Sequence, residues 1–213
     1  MMHKKIIFFS VFVLSVAGLI GRIFWQHELK YALPTPLPDN FSDVSIGSQV
    51  DFGAKDIPTG KSTLLHFFNP DCPCSKFNMK DFESLSKKYS GDINFYIVLQ
   101  SGDDDAIVDF KERYGLNLPI ISDHDGSISD LCGIYSTPQA VILDENSVIY
   151  FKGNYNKSRF CTRRETRYVE IALDSLIQNK PLPLFVQNEL TLPYGCVLPS
   201  DETSEEAGFL NLF

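Results

Sequence analysis

Two cysteines separated by one proline, Cys72-Pro73-Cys74, are the residues of this chain best placed to do chemistry. They follow an apolar run, residues 63–68, whose β-branched and aromatic side chains predict a buried strand. After them, residues 75–85 have the apolar spacing of a helix. A thiol at such a turn meets free backbone N–H groups and the positive end of the helix dipole, and both favour the thiolate. Cys72 is therefore the expected nucleophile for thiol-disulfide exchange.

Further stretches follow this motif in a characteristic order. Residues 123–126 and 133–138 lead into a proline, and residues 140–144 and 148–153 predict a β-hairpin. From about residue 41 to 179 the chain resembles the thioredoxin-like superfamily, and most of all its membrane-anchored TlpA/ResA-type thiol-disulfide oxidoreductases. The resemblance implies an α/β sandwich, in which a central mixed β-sheet is flanked by helices. It implies no cofactor beyond a redox-active disulfide.

The resemblance also implies roles for individual residues. Pro138 matches the family's cis-proline, which faces the active cysteine. Thr137 would then offer its backbone to a substrate strand by short β-pairing. Pro73 joins Thr137 as an expected substrate-binding residue. We expect Cys72, Cys74 and Pro138 to form the catalytic site.

The motif departs from the family pattern in its spacing. The family carries Cys-x-x-Cys, whereas Ser75 stands at the second cysteine position here and Cys74 lies one residue nearer to Cys72. A Cys72–Cys74 bridge closes a smaller ring, which predicts a strained and easily reduced disulfide. We expect Cys74 to resolve the mixed disulfide formed by Cys72. The alternative is that Cys72 acts alone, as in monothiol relatives. Ser75 is a possible accessory residue.

The three remaining cysteines raise a separate question. Cys161 precedes the predicted last helix and Cys196 lies in the stretch after it. In an oxidising compartment a structural disulfide between them would fix the C-terminal stretch to the domain. A second redox pair and two unbridged thiols are the alternatives. Cys132 is expected to be a small buried residue, and a resolving role for it is the alternative.

Other functions remain open at this stage. Two cysteines and His124 have the soft ligand chemistry that suits Cu(I), which makes a Cu(I)-binding assembly factor of the same fold one alternative. A thiol peroxidase is disfavoured, because Asn69 replaces the Thr or Ser found three residues before the nucleophile in such enzymes. The third alternative is a non-catalytic interaction domain. His66 lies inside the first strand and is expected to be a core residue.

Composition and charge narrow the range of partners. A chain of 213 residues with 44% hydrophobic residues suits one domain with appendages. The formal net charge of −8 and the lack of a basic stripe argue against nucleic acid. We expect extracytoplasmic protein thiols or disulfides as partners, such as apo-metalloprotein cysteines, together with an upstream redox partner.

The chain is expected to divide into four parts. Residues 1–25 carry two lysines before an apolar run, which indicates an uncleaved membrane anchor rather than a cleaved signal peptide, with the domain on the periplasmic or extracytoplasmic side. Residues 26–40 form a Pro-rich spacer. Residues 41–180 form the thioredoxin-like domain. Residues 181–213 form an irregular, partly disordered extension.

Overall fold

The architecture is built around a five-stranded sheet. The computed structural model describes residues 2–29, 31, 33–53, 57–101, 105–158, 163–189 and 192–198. The strands are β1 (Thr63–Phe68), β2 (Asn94–Leu99), β3 (Ile120–Ser122), β4 (Ser136–Thr137), β5 (Gln139–Leu143), β6 (Ile149–Gly153) and β7 (Cys196–Val197). The sheet has the order β3-β2-β1-β5-β6, in which β3, β2 and β1 are parallel and β5 and β6 antiparallel. Strands β4 and β7 form a separate antiparallel pair.

Helices cover the sheet and extend the chain at both ends. They are α1 (Met2–Phe24), α2 (Pro73–Tyr89), α3 (Asp105–Tyr114), α4 (Ser127–Cys132), α5 (Tyr168–Ile177) and α6 (Leu184–Glu189), with a π-helical turn at Trp25–Leu29 and a 3-10 turn at Arg164–Thr166. The predicted α/β sandwich with a central mixed sheet is therefore confirmed.

Strand β1 is central because its side chains supply both faces of the core. All six of its residues are buried. Leu64 and Phe68 belong to the hydrophobic cluster that includes side chains of α2 and α5. Leu65 and Phe67 belong to the opposite cluster, which includes side chains of α4. Successive side chains of a strand point to opposite faces, so a continuous apolar run is what a strand covered on both sides requires.

Helix α1 is long and apolar enough to span a bilayer by length and composition. Its 23 residues rise about 1.5 Å each, which gives about 35 Å against a hydrocarbon core of about 30 Å. This fits the predicted membrane anchor.

The C-terminal extension is more ordered than its sequence predicts. It contains helix α6 and strand β7, and β7 pairs with β4 inside the domain. The remainder of the predicted disordered part, residues 199–213, lies outside the described residues.

His66 is the ionisable side chain at the centre of the sheet. It is fully buried, stacks on Phe82 with ring centroids 4.3 Å apart, and shares a 2.7 Å hydrogen bond with the Tyr155 hydroxyl. Burial lowers the pKa of His66 from its ordinary 6.5 to about 3. The expected core position is confirmed, and the folded protein holds this ring in the neutral form.

This buried imidazole predicts a pH dependence of stability. The unfolded chain takes up a proton on His66 below pH 6.5, whereas the folded chain does so only near pH 3. Stability should therefore fall as the pH drops through this window, by up to about 1.4 kcal/mol per pH unit from this group. Denaturant unfolding at a series of pH values would measure the slope. A His66→Phe, Tyr155→Phe double variant should lose this contribution, and an unchanged slope would contradict it.

Candidate active site

The turn before α2 fixes the position of Cys72. The Asn69 side-chain oxygen accepts a hydrogen bond from the Asp71 N–H at 2.8 Å, and the Asn69 carbonyl accepts one from the Cys72 N–H at 3.1 Å. The Asn69 N–H in turn donates to the Ser75 hydroxyl at 3.4 Å. Cys72 is the N-cap residue of α2, with extended backbone angles of −84° and 117°, and Pro73 is the first helical residue. The predicted strand, turn and helix are all present.

Cys72 is joined to Cys196 by a disulfide that spans 124 residues of sequence. Their Cα atoms lie 5.9 Å apart, and Cys72 is only 1% exposed. The Cys72 sulfur also lies 3.6 Å from the carbonyl oxygen of Thr137. The Thr137–Pro138 peptide bond is cis, which confirms the cis-proline that the resemblance implied. A disulfide, a helix N-terminus and a cis-proline thus meet at one point.

Two expected cysteine pairings are wrong. Cys72 bonds to Cys196 and not to Cys74, because Cys72 precedes the helix whereas Cys74 lies in its first turn, in line with the buried residues Asn78 and Phe82. Cys196 does not bridge to Cys161, because its sulfur already belongs to the bond with Cys72. Cys161 itself lies outside the described residues.

Cys74 belongs to the buried face of α2. Cys74, Asn78 and Phe82 follow one another at intervals of four, and all three are buried. This spacing places them on one side of the helix, toward the sheet. Ser75 is also fully buried, and its hydroxyl accepts the turn hydrogen bond described above. The structure therefore gives Cys74 a packing position and Ser75 a contact that holds the turn.

The short strand β7 brings Cys196 to the site. In the antiparallel pair of β7 with β4, Thr137 lies opposite Cys196 and Ser136 lies opposite Val197. Both β4 residues are fully buried. The edge of β4 that Thr137 was expected to offer to a substrate is thus occupied by the chain's own C-terminal segment.

The N-terminal spacer supports the same segment from another side. The Thr35 N–H donates to the Pro193 carbonyl at 2.8 Å, and Pro34 forms an isolated antiparallel bridge with Tyr194. The Thr35 and Ser136 hydroxyls share a 2.7 Å hydrogen bond. Residues of the spacer, of β4 and of the C-terminal segment therefore form one continuous hydrogen-bonded unit beside the disulfide.

The other candidate residues, Cys132 and His124, are not part of the disulfide. Cys132 is fully buried in a hydrophobic cluster, and burial, followed by the nearby charge of Asp123, raises its pKa to about 12. A thiol held protonated in this way is a poor resolving nucleophile. His124 is exposed. Within the described part of the chain, no group of three or more His, Cys, Asp or Glu residues could hold a metal ion.

The sequence pattern predicted Cys161 as the partner of Cys196 and missed Cys72. The local signal for the strand that carries Cys196 is the stretch Pro193-Tyr194-Gly195-Cys196-Val197, in which the cysteine lies between a glycine and a β-branched residue. Such a stretch is compatible with a very short strand. Nothing in it, however, identifies β4 as the strand with which it pairs.

Curated relatives carry the same kind of chemistry. The thiol-disulfide oxidoreductase ResA of Bacillus cereus is 25% identical over 167 residues, which cover 75% of this chain and 94% of the relative. ResA of Halalkalibacterium halodurans is 29% identical over 91 residues. That match covers 42% of this chain and spans only about half, 52%, of that relative. These relatives support the predicted thiol-disulfide oxidoreductase activity and confirm the thioredoxin-like superfamily.

A solved structure shares the fold. An uncharacterized conserved protein from Geobacillus kaustophilus superposes with a TM-score of 0.62 at 18% identity, covering 77% of this chain and 97% of its own. A family model also matches residues 44–197, a span that begins before β1 and ends with β7. The matched span therefore includes both cysteines of the disulfide. With most of its length covered by that model, the chain belongs to the family described as "Domain of unknown function (DUF6436)".

Proposed function

We propose that this chain is a membrane-anchored, extracytoplasmic thiol-disulfide oxidoreductase whose working pair is Cys72 and Cys196. The observation that carries the proposal is the disulfide between these residues, formed at the N-terminus of α2 and beside the cis-proline Pro138. Cys72 is the nucleophile, because the helix N-terminus stabilises its thiolate. Cys196 replaces Cys74 as the resolving thiol. Pro138 and Thr137 position the substrate segment that carries the reacting cysteine.

The reaction consists of two exchanges. In the first, the Cys72 thiolate attacks a substrate disulfide, a bond forms from Cys72 to one substrate sulfur, and the other substrate sulfur leaves as a thiolate. In the second, the Cys196 thiolate attacks the Cys72 sulfur, the Cys72–Cys196 bond forms, and the first substrate sulfur leaves as a thiolate. Two electrons pass from the cysteine pair to the substrate. The same steps in reverse oxidise a substrate dithiol.

The second exchange has a conformational requirement. Cys196 reaches Cys72 only when β7 pairs with β4, and a substrate strand bound at Thr137 would occupy the same edge. The C-terminal segment must therefore leave before a substrate binds and return to resolve the mixed disulfide. In every catalytic cycle, a substrate strand would therefore replace β7 at the edge of β4, and β7 would then replace the substrate.

The charge pattern of the N-terminal helix supports an extracytoplasmic location for the domain. Lys4 and Lys5 precede the apolar part of α1, and positive residues favour the cytoplasmic side of a membrane. The domain would then face the periplasm or extracytoplasmic space, where disulfides persist. Its partners would be extracytoplasmic protein thiols or disulfides and an upstream redox partner that resets the pair.

A redox titration tests the proposed pair. The full chain, in detergent, is equilibrated with glutathione buffers of graded potential, quenched in acid, and alkylated with two reagents before and after reduction. Peptide mass mapping should show Cys72 and Cys196 titrating together as a single two-electron couple. Cys74 and Cys132 should remain thiols throughout, because both are buried and outside the disulfide.

Two results of this titration would contradict the proposal. Pairing of Cys72 with Cys74 would identify the two cysteines of the Cys-Pro-Cys motif as the redox-active pair. Pairing of Cys196 with Cys161, with Cys72 a thiol at every potential, would make the C-terminal bridge structural and Cys72 a monothiol.

A further inference from the structure

The segment that carries Cys196 is held by hydrogen bonds on several sides, and its residues Cys196–Val197 form strand β7. Besides the pairing with β4, the Leu198 N–H donates to the Tyr135 carbonyl at 3.2 Å. The Tyr194 hydroxyl donates to the Asn156 carbonyl at 2.8 Å, and the Asn154 side-chain amide donates to the Leu192 carbonyl at 3.0 Å. Most of these contacts use the main chain of residues 192–198, which we call the tail segment. A peptide of another sequence could make the same main-chain contacts.

Gly195, immediately before the reactive cysteine, is the one position of the tail segment where these observations restrict the residue type. Its φ is +129°, a backbone conformation that residues with a side chain rarely adopt. A Cβ at this position would lie 2.0 Å from the Thr137 carbonyl oxygen and 3.0 Å from its carbonyl carbon. The obstacle is backbone next to the cis peptide bond, and Thr137 is fully buried, so it has little room to move. In this register the residue before the cysteine must lack a Cβ.

A foreign cysteine faces the same constraint when it bonds to Cys72. Cys72 is 1% exposed, and its sulfur lies 3.6 Å from the Thr137 carbonyl oxygen. If the tail segment leaves, the backbone groups of Ser136 and Thr137 lose their protein partners, and another extended strand bound in its place would restore them. A strand in that place and direction puts its cysteine opposite Thr137 and the preceding residue where Gly195 lies.

We propose that the edge of β4 binds a peptide segment and that the tail segment is its tethered occupant. External protein segments bind the same edge in place of the tail segment, and in them glycine directly precedes the reactive cysteine. The substrate class is therefore an extended protein segment containing Gly-Cys. This rests on the proposed function, because the same Cys72 must form the mixed disulfide.

The test uses two peptides that differ by one methyl group. One copies the tail segment as Pro-Tyr-Gly-Cys-Val-Leu, and the other has alanine in place of glycine; each cysteine carries thionitrobenzoate in a mixed disulfide. The reduced full chain with Cys196→Ser is the nucleophile. Its Cys72 thiolate attacks the peptide sulfur, the Cys72–peptide bond forms, and thionitrobenzoate leaves as a coloured thiolate. Mass spectrometry confirms the adduct on Cys72.

The glycine peptide should react at least about tenfold faster than the alanine peptide. Each rate is divided by the rate of the same peptide with glutathione, which removes differences in intrinsic reactivity. The tail segment of the Cys196→Ser variant competes with both peptides equally, so the ratio of the two rates is unaffected. Equal normalised rates would overturn the glycine requirement while leaving the redox function of Cys72 intact. No reaction of Cys72 with either peptide or with the small disulfide of thionitrobenzoate would instead overturn the proposed function.

A second variant tests the same contact inside the native chain. Gly195→Ala should lower the equilibrium constant for Cys72–Cys196 disulfide formation against glutathione by at least about tenfold. Gly91→Ala is the matched control, because a Cβ there meets nothing within 4 Å. It should change that constant by no more than about twofold. An unchanged constant in Gly195→Ala would overturn the proposal.

Discussion

Replacing Cys196 by serine should turn the proposed catalyst into a trap. The reduced variant still forms a mixed disulfide through Cys72, but no tethered thiol remains opposite Thr137 to release the substrate. A tethered thiol acts at an effective concentration in the millimolar range, about a thousandfold above free thiols at micromolar concentration. The lifetime of the mixed disulfide should therefore rise by about 10²- to 10³-fold. Acid quenching and intact-protein mass spectrometry after a single turnover would measure it.

Cys74→Ser is the matched control for this experiment. Cys74 is buried and takes no part in the disulfide, so its replacement should leave the mixed disulfide as short-lived as in the native chain. The reverse pattern, with Cys74→Ser trapped and Cys196→Ser resolved, would identify Cys74 as the resolving thiol. The Cys72–Cys196 bond would then be a resting state outside the cycle.

The second large effect is on stability. The Cys72–Cys196 bond links residues 124 positions apart, and the loop that it closes contains β2, β3, β5 and β6 of the sheet. A cross-link over so long a loop restricts the unfolded chain strongly, and its loss should lower the free energy of unfolding by about 3 to 5 kcal/mol. Guanidinium unfolding of the full chain in detergent, with and without reductant, would show the difference.

The Cys196→Ser variant separates the disulfide from other effects of the reductant. It should unfold at the midpoint of the reduced native chain, and reductant should not shift that midpoint further. If oxidised and reduced native chains unfold at the same denaturant concentration, the bond does not contribute to stability. The tail segment would then be attached to an already complete fold.

The elements around Cys72 could be predicted because their signals are local. The run at residues 63–68 is mostly apolar, which matches a strand buried on both faces, and the structure has a strand with these bounds. Pro138 follows the glycine and threonine of a recognisable stretch, and its cis bond is present. Each of these features depends on residues within a few positions of one another, which is the range that composition and periodicity describe.

The partner of Cys72 could not be found in that way. Strands β4 and β7 have two residues each, too short for any period, and they lie about sixty residues apart along the chain. Their pairing depends on the tertiary arrangement of β4, the spacer and the tail segment. The position of Cys74, in contrast, has a local signal, because its spacing with Asn78 and Phe82 places it on the buried face of α2.

The bridge between Pro34 and Tyr194 also limits where this protein can act. Pro34 follows the end of α1, Phe24, by ten residues, and part of that stretch is a π-helical turn. Ten residues span at most about 36 Å even when fully extended. With α1 in a bilayer, the disulfide would therefore work within a few nanometres of the lipid surface. A protein that exchanges electrons with it would have to bring its own cysteines into that layer.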